Sequence, residues 1–206
     1  MTIGLLLLRL VLGLTLAAHG TQKLFGAFGG GGIAGTGAFF EDRLGFKPGR
    51  RYAAMAGLTE VGAGLAVALG LFTPVAAAAV IGTMLVAAVA AHGSAGFFIT
   101  KGGYEYTVVL GSVAAALAFV GPGRLSVDRM LGWDLHGTMW GIAALVFGSM
   151  MGLLILAGRT RVGEDEDEPE AEAAGAGAVA GGREAALDKS APAREQADAE
   201  PVEAEL

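Results

Sequence analysis

Five runs of apolar residues, each 15 to 20 residues long, alternate with shorter polar segments along the chain. They cover residues 3–20, 52–71, 75–91, 106–120 and 138–157. Because about 20 apolar residues in a helix cross the hydrocarbon core of a bilayer, we predict five membrane-spanning helices. The first run could instead be a cleaved signal peptide, but no Lys or Arg precedes it and Arg9 interrupts its apolar centre. A retained first span is therefore the prediction.

The connection between the second and third runs is the shortest in the chain. Only Phe72, Thr73 and Pro74 separate these two spans, so we predict a tight antiparallel hairpin. Thr73 is expected as the N-cap of the third helix and Pro74 as its first residue, where a missing backbone N–H costs nothing.

The longest connection, residues 20–52, contains two recognisable patterns. The glycine run 29–32 predicts a bend, because glycine is the residue that the chain uses for unusual backbone angles. The aromatic residues that follow, Phe39, Phe40 and the segment Leu44–Phe46, predict a short amphipathic helix at the membrane surface.

The composition agrees with a membrane protein and divides the chain unevenly. Hydrophobic residues make up 53% and charged residues 17%, with a mean hydropathy of +0.57. Residues 159–206 hold five basic and fourteen acidic residues, against nine and six in residues 1–158. Such an acidic Ala/Glu-rich tail cannot bury enough apolar surface to fold, so disorder is predicted. We therefore divide the chain into a four-helix membrane domain (1–132), an additional transmembrane helix (133–158) and a disordered tail (159–206).

The composition also excludes several classes of function. The chain has no cysteine, which excludes disulfides, thiol redox chemistry, cysteine-ligated zinc, iron–sulfur clusters and covalent c-type haem. No metal site is predicted. The net negative charge lies in the tail, and nothing in the charge pattern supports nucleic-acid binding. A redox role would need a diffusible or non-covalent cofactor.

Antiparallel order decides which polar residues share a membrane face. Spans 1 and 3 end, and spans 2 and 4 begin, at one face, here called side B; the opposite face is side A. Five polar residues of interest therefore lie at side B: His19, Lys23, His92, Lys101 and Glu105. Side B also holds eight basic residues of the connections and the start of the tail against two on side A, so the positive-inside rule makes side B cytoplasmic. The amino terminus is then predicted outside and the tail inside.

Glu60 is the strongest candidate for a functional residue. It lies in the second apolar run, about 10 Å below side B at 1.5 Å per residue. Ionisable groups within apolar spans are costly and mark proton or substrate pathways, which favours function. The alternative is a structural ion pair with Lys23 or with Arg9, which enters from side A. Arg9 is predicted to be structural, since a guanidinium does not exchange protons.

A resemblance to a known family joins these residues. Its best motif follows the fourth run as Gly-Pro-Gly-Arg-Leu-Ser-Val-Asp at residues 121–128. In order and kind, these residues over about 3–132 resemble the DoxX family of small bacterial membrane proteins: Arg9, His19-Gly20, Lys23, Glu60, Thr73-Pro74, His92, Gly103-Tyr-Glu105 and 121–128. The resemblance implies a four-helix membrane bundle. It also implies a link to thiosulfate:quinone oxidoreductase or to complexes that handle sulfur or oxidant stress. The fifth span and the tail lie outside it.

The polar residues beneath side B fit a quinone site. A histidine or lysine would donate to a quinone oxygen, and a carboxylate would exchange the proton. We therefore predict Glu60, His19, His92 and Glu105 as catalytic residues. Lys23, Tyr104, Phe97 and Phe98 are predicted to bind the cofactor, the aromatic rings by stacking, although an aromatic belt at the interface explains these rings as well. The less favoured alternative is that His19 and His92 are the two ligands of a haem.

The fifth span carries a close-packing motif. Gly148 and Gly152 form a GxxxG pair, which brings helices together either within one chain or between two copies in a homo-oligomer.

Two functions remain open at this point. The first is a multi-pass subunit of a quinone-linked redox system in the bacterial cytoplasmic membrane, acting with a partner redox enzyme. The second is a non-catalytic membrane scaffold or small-solute carrier that recruits partners through its acidic tail. Without a flavin motif or metal signature, the chain is not expected to be a self-sufficient oxidoreductase.

Overall fold

The structure is a computed structural model and describes residues 2–160. Within that range the chain is helical and contains no strand. Its α-helices are α1 (Thr2–Phe25), α2 (Gly32–Asp42), α3 (Gly49–Leu69), α4 (Thr73–Val86), α5 (Glu105–Val120), α6 (Val127–Met130) and α7 (Thr138–Ala157). A turn of π-helix, Ala87–Ala91, continues α4. The prediction of an all-α membrane fold is confirmed. The tail, predicted as disordered, lies outside the described residues.

Four of the five predicted spans are long and apolar enough to cross a membrane: Ile3–Phe25, Gly49–Leu69, Thr73–Ala91 and Thr138–Ala157. The remaining one, α5, has 16 residues. At 1.5 Å per residue it reaches about 24 Å, less than the roughly 30 Å of a bilayer core.

Two helices extend further than the apolar pattern indicates. The first span was predicted to end near Gly20, whereas α1 continues to Phe25 and places Lys23 within the helix. The second span begins at Gly49 instead of Tyr52. Glu60 is therefore eleven residues from the start of α3, about 16 Å along the axis instead of the predicted 10 Å.

Small residues set the close contact between α1 and α3. A Cβ added to Gly64 would come within 2.5 Å of the carbonyl oxygen of Gly13 and 2.8 Å of the backbone N of Ala17. Likewise, a Cβ on Gly20 would come within 2.7 Å of the carbonyl oxygen of Gly57. Glycine at these positions lets the two backbones approach, which is how membrane helices gain packing contacts without a hydrophobic driving force.

The α3–α4 hairpin forms as predicted, but its cap comes from elsewhere. Thr73 is the first residue of α4, and the preceding N-cap residue is Phe72 with φ 44°. The buried carboxylate of Asp128 accepts hydrogen bonds from the backbone N–H groups of Phe72 (2.7 Å) and Thr73 (3.0 Å) and from the Thr73 hydroxyl (2.7 Å). The prediction that Thr73 caps α4 is therefore wrong, because its hydroxyl is a donor to the residue that does.

The fifth long helix packs within the chain. α7 lies against α4 and, less extensively, α5. Gly148 and Gly152 are buried there: a Cβ on Gly152 would come within 3.0 Å of the carbonyl oxygen of Gly82, and one on Gly148 would meet that of Ala78. Of the two alternatives for this motif, the structure has packing within one chain, because both glycines serve the α4–α7 contact.

Candidate functional site

A groove of about 660 Å³ lies on one side of the bundle. α4 forms its floor and α3 and α7 form its walls; both walls pack against α4 and hardly touch each other. Aromatic residues from α2 and the segment after it cover the end of the groove at side B: Phe39, Phe40 and Phe46, with Tyr52 of α3. This size is typical of sites for small molecules and cofactors.

Backbone and ring contacts join the segments at the side B end of the groove. The backbone N–H of Thr160, just after α7, donates to the carbonyl oxygen of Gly45 at 2.8 Å. The ring of the buried Phe46 stacks on Tyr52 with centroids 5.0 Å apart. α2 is held in place at the start of α3, where the Glu41 carboxylate accepts from the backbone N–H of Gly49 at 2.8 Å.

The polar centre of the groove is an ion pair between α1 and α3. Lys23 Nζ lies 2.7 Å from Glu60 Oε1 and 2.5 Å from Oε2. The Glu60 side chain is 6% exposed and that of Lys23 24%. Lys23 reaches the carboxylate because α1 extends one more turn beyond its apolar run. Of the two partners considered for Glu60, the structure therefore has Lys23.

Four other polar side chains line the groove. Thr59 neighbours Glu60, and Tyr52 lies nearer side B. Thr83 uses its hydroxyl to donate to the carbonyl oxygen of Ala79 at 2.9 Å. His92 has its Nδ1 2.7 Å from the carbonyl oxygen of Gly102. Because a carbonyl only accepts, Nδ1 carries the proton, and Nε2 of a neutral His92 is left as an acceptor.

The other predicted site residues do not line the groove. Glu105 accepts from the backbone N–H of Ile99 at 3.0 Å and so fixes the loop before α5. Phe97 stacks edge-on against both Phe98 and Tyr104 in the same loop, with centroids 5.3 Å and 5.7 Å apart. The predicted stacking rings and Glu105 thus form one loop structure, while Lys23, Glu60 and His92 form the groove site.

His19 occupies an intermediate place. It lies on α1 one turn before Lys23 and is within electrostatic range of Glu60. Its ring is exposed and faces Tyr106 of α5, with centroids 6.2 Å apart. His19 therefore belongs to the surroundings of the ion pair rather than to the groove lining.

Arg9 is not the partner of Glu60. Its guanidinium, 2% exposed, donates to the carbonyl oxygens of Pro122 (2.5 Å), Leu125 (2.8 Å) and Ala68 (3.1 Å) near side A. Ala68 follows Glu60 by eight residues, about 12 Å along α3. The predicted Arg9–Glu60 ion pair is wrong because Arg9 is already committed to three backbone acceptors, with the Asp128 charge nearby.

Sequence reasoning missed two parts of the groove. The covering residues Phe40 and Phe46 carried a signal, since they were predicted as part of an amphipathic segment next to the membrane. The wall formed by α7 had no signal in the sequence, because an apolar span has the same composition whether it faces lipid, protein or a ligand.

These features define a multi-pass α-helical membrane protein with a partly buried ion pair in an apolar groove. Residues 4–93 match the family model described as DoxX. These residues comprise nearly all of α1, all of α2–α4 and the π-turn, and their match supports assignment of the chain to the DoxX family. The match is shorter than the predicted resemblance over 3–132 and leaves out α5–α7. No curated protein and no solved structure matches the chain.

Proposed function

We propose that this protein is a membrane subunit of a quinone-linked redox system and that it binds the quinone head group beside Lys23 and Glu60. One observation carries the proposal: a buried, charged hydrogen-bonding pair lies in a groove whose other walls are apolar and aromatic. A quinone has the matching form, with two carbonyl oxygens on a flat ring and an apolar side chain. The match to the DoxX family model supports a membrane protein linked to oxidoreductase or stress chemistry.

Reduction of a quinone to a quinol takes up two electrons and two protons. The Lys23 ammonium has three N–H donors and can bind a quinone oxygen while it still contacts Glu60. The carboxyl group of Glu60 supplies or receives the proton at that oxygen. His92 Nε2, as an acceptor, suits the hydroxyl of the quinol. Each of these roles belongs to a side chain that lines the groove.

The electrons come from outside this chain. A partner enzyme that oxidises a reduced sulfur compound fits the family resemblance: two thiosulfate ions yield one tetrathionate and two electrons, which balances one quinone reduced. The chain itself has no cysteine for a covalent or iron–sulfur relay. The protein would then hold the quinone and its protons, and the partner would deliver the electrons.

A second candidate is a membrane scaffold or small-solute carrier. The observation that favours it is that the Lys23–Glu60 pair joins α1 to α3, so the pair could serve helix packing alone. Here the acidic tail would recruit partner proteins.

Removing each charge in turn separates these functions. Lys23→Met leaves a buried carboxylate unpaired and should destabilise the protein by about 3–5 kcal/mol, whereas Lys23→Met with Glu60→Gln removes both charges and should restore most of that stability. Under the quinone proposal, Glu60→Gln and the double variant fold but lose quinone reduction in membranes by roughly 10²–10⁴-fold.

The exposed Asp42→Asn is the matched control, because it removes a carboxylate outside the groove. Quinone is also extracted from the purified protein and measured by its absorbance. A stable double variant that retains full quinone reduction would eliminate the quinone site and leave the scaffold as the function.

A further inference from the structure

The half of the groove nearer side A contains no polar side chain among its lining residues. Glu60 lies nine residues before the end of α3, and Thr83 lies ten after the start of α4, so the two are at similar depth. The lining polar groups are at this level or nearer side B. From here toward side A the floor continues through Ala79 and Ala78 to Val75, beside Phe147. This apolar section extends about 10 Å along α4, from Gly82 to Val75.

The groove is open sideways. Its edges carry apolar side chains that remain exposed in the structure: Met55 at 55%, Val75 at 64%, Phe147 at 61% and Met151 at 46%. In a bilayer these edges face lipid chains. Since the end at side B is covered by Phe46 and joined to α7, the path without an obstacle leads from the membrane between α3 and α7.

We infer that the apolar section binds the side chain of the quinone, which enters from the membrane between α3 and α7. This inference rests on the proposed function, because the head group is placed by Lys23 and Glu60. The short contact of Gly148 and Gly152 with α4 sets the width of the section. When the quinone side chain moves from lipid into this groove, it loses no contact with water. Its binding free energy therefore comes from van der Waals contacts and depends on the shape of the groove wall. α7, which lies outside the matched family residues, is therefore the element that selects the side chain.

Photolabelling tests this placement directly. The probe is a benzoquinone with a short alkyl chain that ends in a diazirine, added to the purified full-length protein in detergent. After irradiation, the labelled residues are identified by peptide mass spectrometry. We expect labels within residues 75–79 and 147–151. Labels confined to the outer faces of α1 or α5 would overturn the inference.

A blocked groove provides the second measurement. Ala79→Phe places a ring on the floor of the groove. It should reduce labelling at residues 147–151 by about tenfold, since the alkyl chain of the probe loses its packing partners. Ala116→Phe adds the same ring to an exposed position of α5 that does not line the groove, and should leave labelling unchanged. Equal labelling in both variants would contradict the inference. If Ala79→Phe does not fold, Phe147→Ala, which trims an exposed wall residue, should lower labelling at residues 75–79.

A tail-free benzoquinone makes the two possible failures distinguishable. Its binding depends on the head-group site alone, so Ala79→Phe should change it by less than about twofold while labelling by the tailed probe falls. If neither quinone binds, the proposed function fails. If both bind with equal affinity and the tail labels lipid-facing surfaces, the proposed function stands and this inference is wrong.

Discussion

The carboxylate of Asp128 offers the most direct test of how this bundle is held together. It is fully buried, comes from α6, and accepts three hydrogen bonds from Phe72 and Thr73, the N-cap and the first residue of α4. Its own backbone N–H donates to the carbonyl oxygen of Gly70 at 2.9 Å. One side chain thus joins the start of α4 to a segment more than fifty residues later. Asp128→Asn keeps the shape of the side chain but replaces one acceptor oxygen by an NH₂ group and removes the charge.

The expected cost follows from the geometry. An asparagine keeps one acceptor oxygen; placed at the Oδ2 position it retains the two bonds from Thr73 and turns an NH₂ group toward the N–H of Phe72. One charge-assisted bond is then lost and two become neutral. Since hydrogen bonds to charged groups contribute about 1.5–3 kcal/mol and neutral ones about 1, the lost bond and the two weakened bonds together should cost roughly 2.5–7 kcal/mol. The buried Arg9 also loses a nearby negative charge, which adds to this cost.

The measurement is the free energy of unfolding in mixed micelles, with SDS as denaturant. Asp134→Asn is the matched control: it removes an aspartate that is 81% exposed and pairs with His136 at 2.6 Å. Such a surface pair contributes about 0–1 kcal/mol. If Asp128→Asn costs no more than Asp134→Asn, the carboxylate does not cap α4 and the reasoning is refuted.

Two further predictions concern packing and topology. Gly64→Ala should lower the unfolding free energy by about 1–3 kcal/mol, because its Cβ would meet the backbone of Gly13, whereas Gly62→Ala, with open space around it, should be neutral or stabilising. Equal effects of the two variants would argue against close α1–α3 packing. Single cysteines at the exposed positions Ser94 and Asp134 should react with a membrane-impermeant thiol reagent from opposite faces in right-side-out and inverted vesicles. Labelling of both from one face would contradict the antiparallel order.

The polar groups of this bundle separate into two sets with different character. Arg9 and Asp128 near side A bond mainly to backbone, which is the arrangement expected of structural groups in a low-dielectric interior. Lys23 and Glu60 pair side chain to side chain and line a groove. Ionisable residues in a membrane span thus occur here in both a structural and a candidate functional setting, and burial alone does not distinguish them.

The local pattern of the sequence predicted the five long helices, although not all of their ends. The run 138–157 coincides with α7, and the three residues between the second and third runs predicted the hairpin, because hydrophobicity and turn chemistry act over neighbouring residues. Antiparallel order alone also predicted that Lys23 and Glu60 approach one face. The prediction of Glu60 as a candidate site follows from the cost of a carboxylate in an apolar span, which is independent of the fold.

Only the tertiary structure decided the partners. Whether Glu60 meets Arg9 or Lys23 depends on where α1 ends and on its register against α3, and that register is set by the glycine contacts between two distant segments. The cap of α4 comes from Asp128, and the groove exists because α7 packs on α4 beside α3 without closing on it. Such arrangements depend on packing between helices far apart in the chain, and an apolar run shows the same composition whichever neighbour it has.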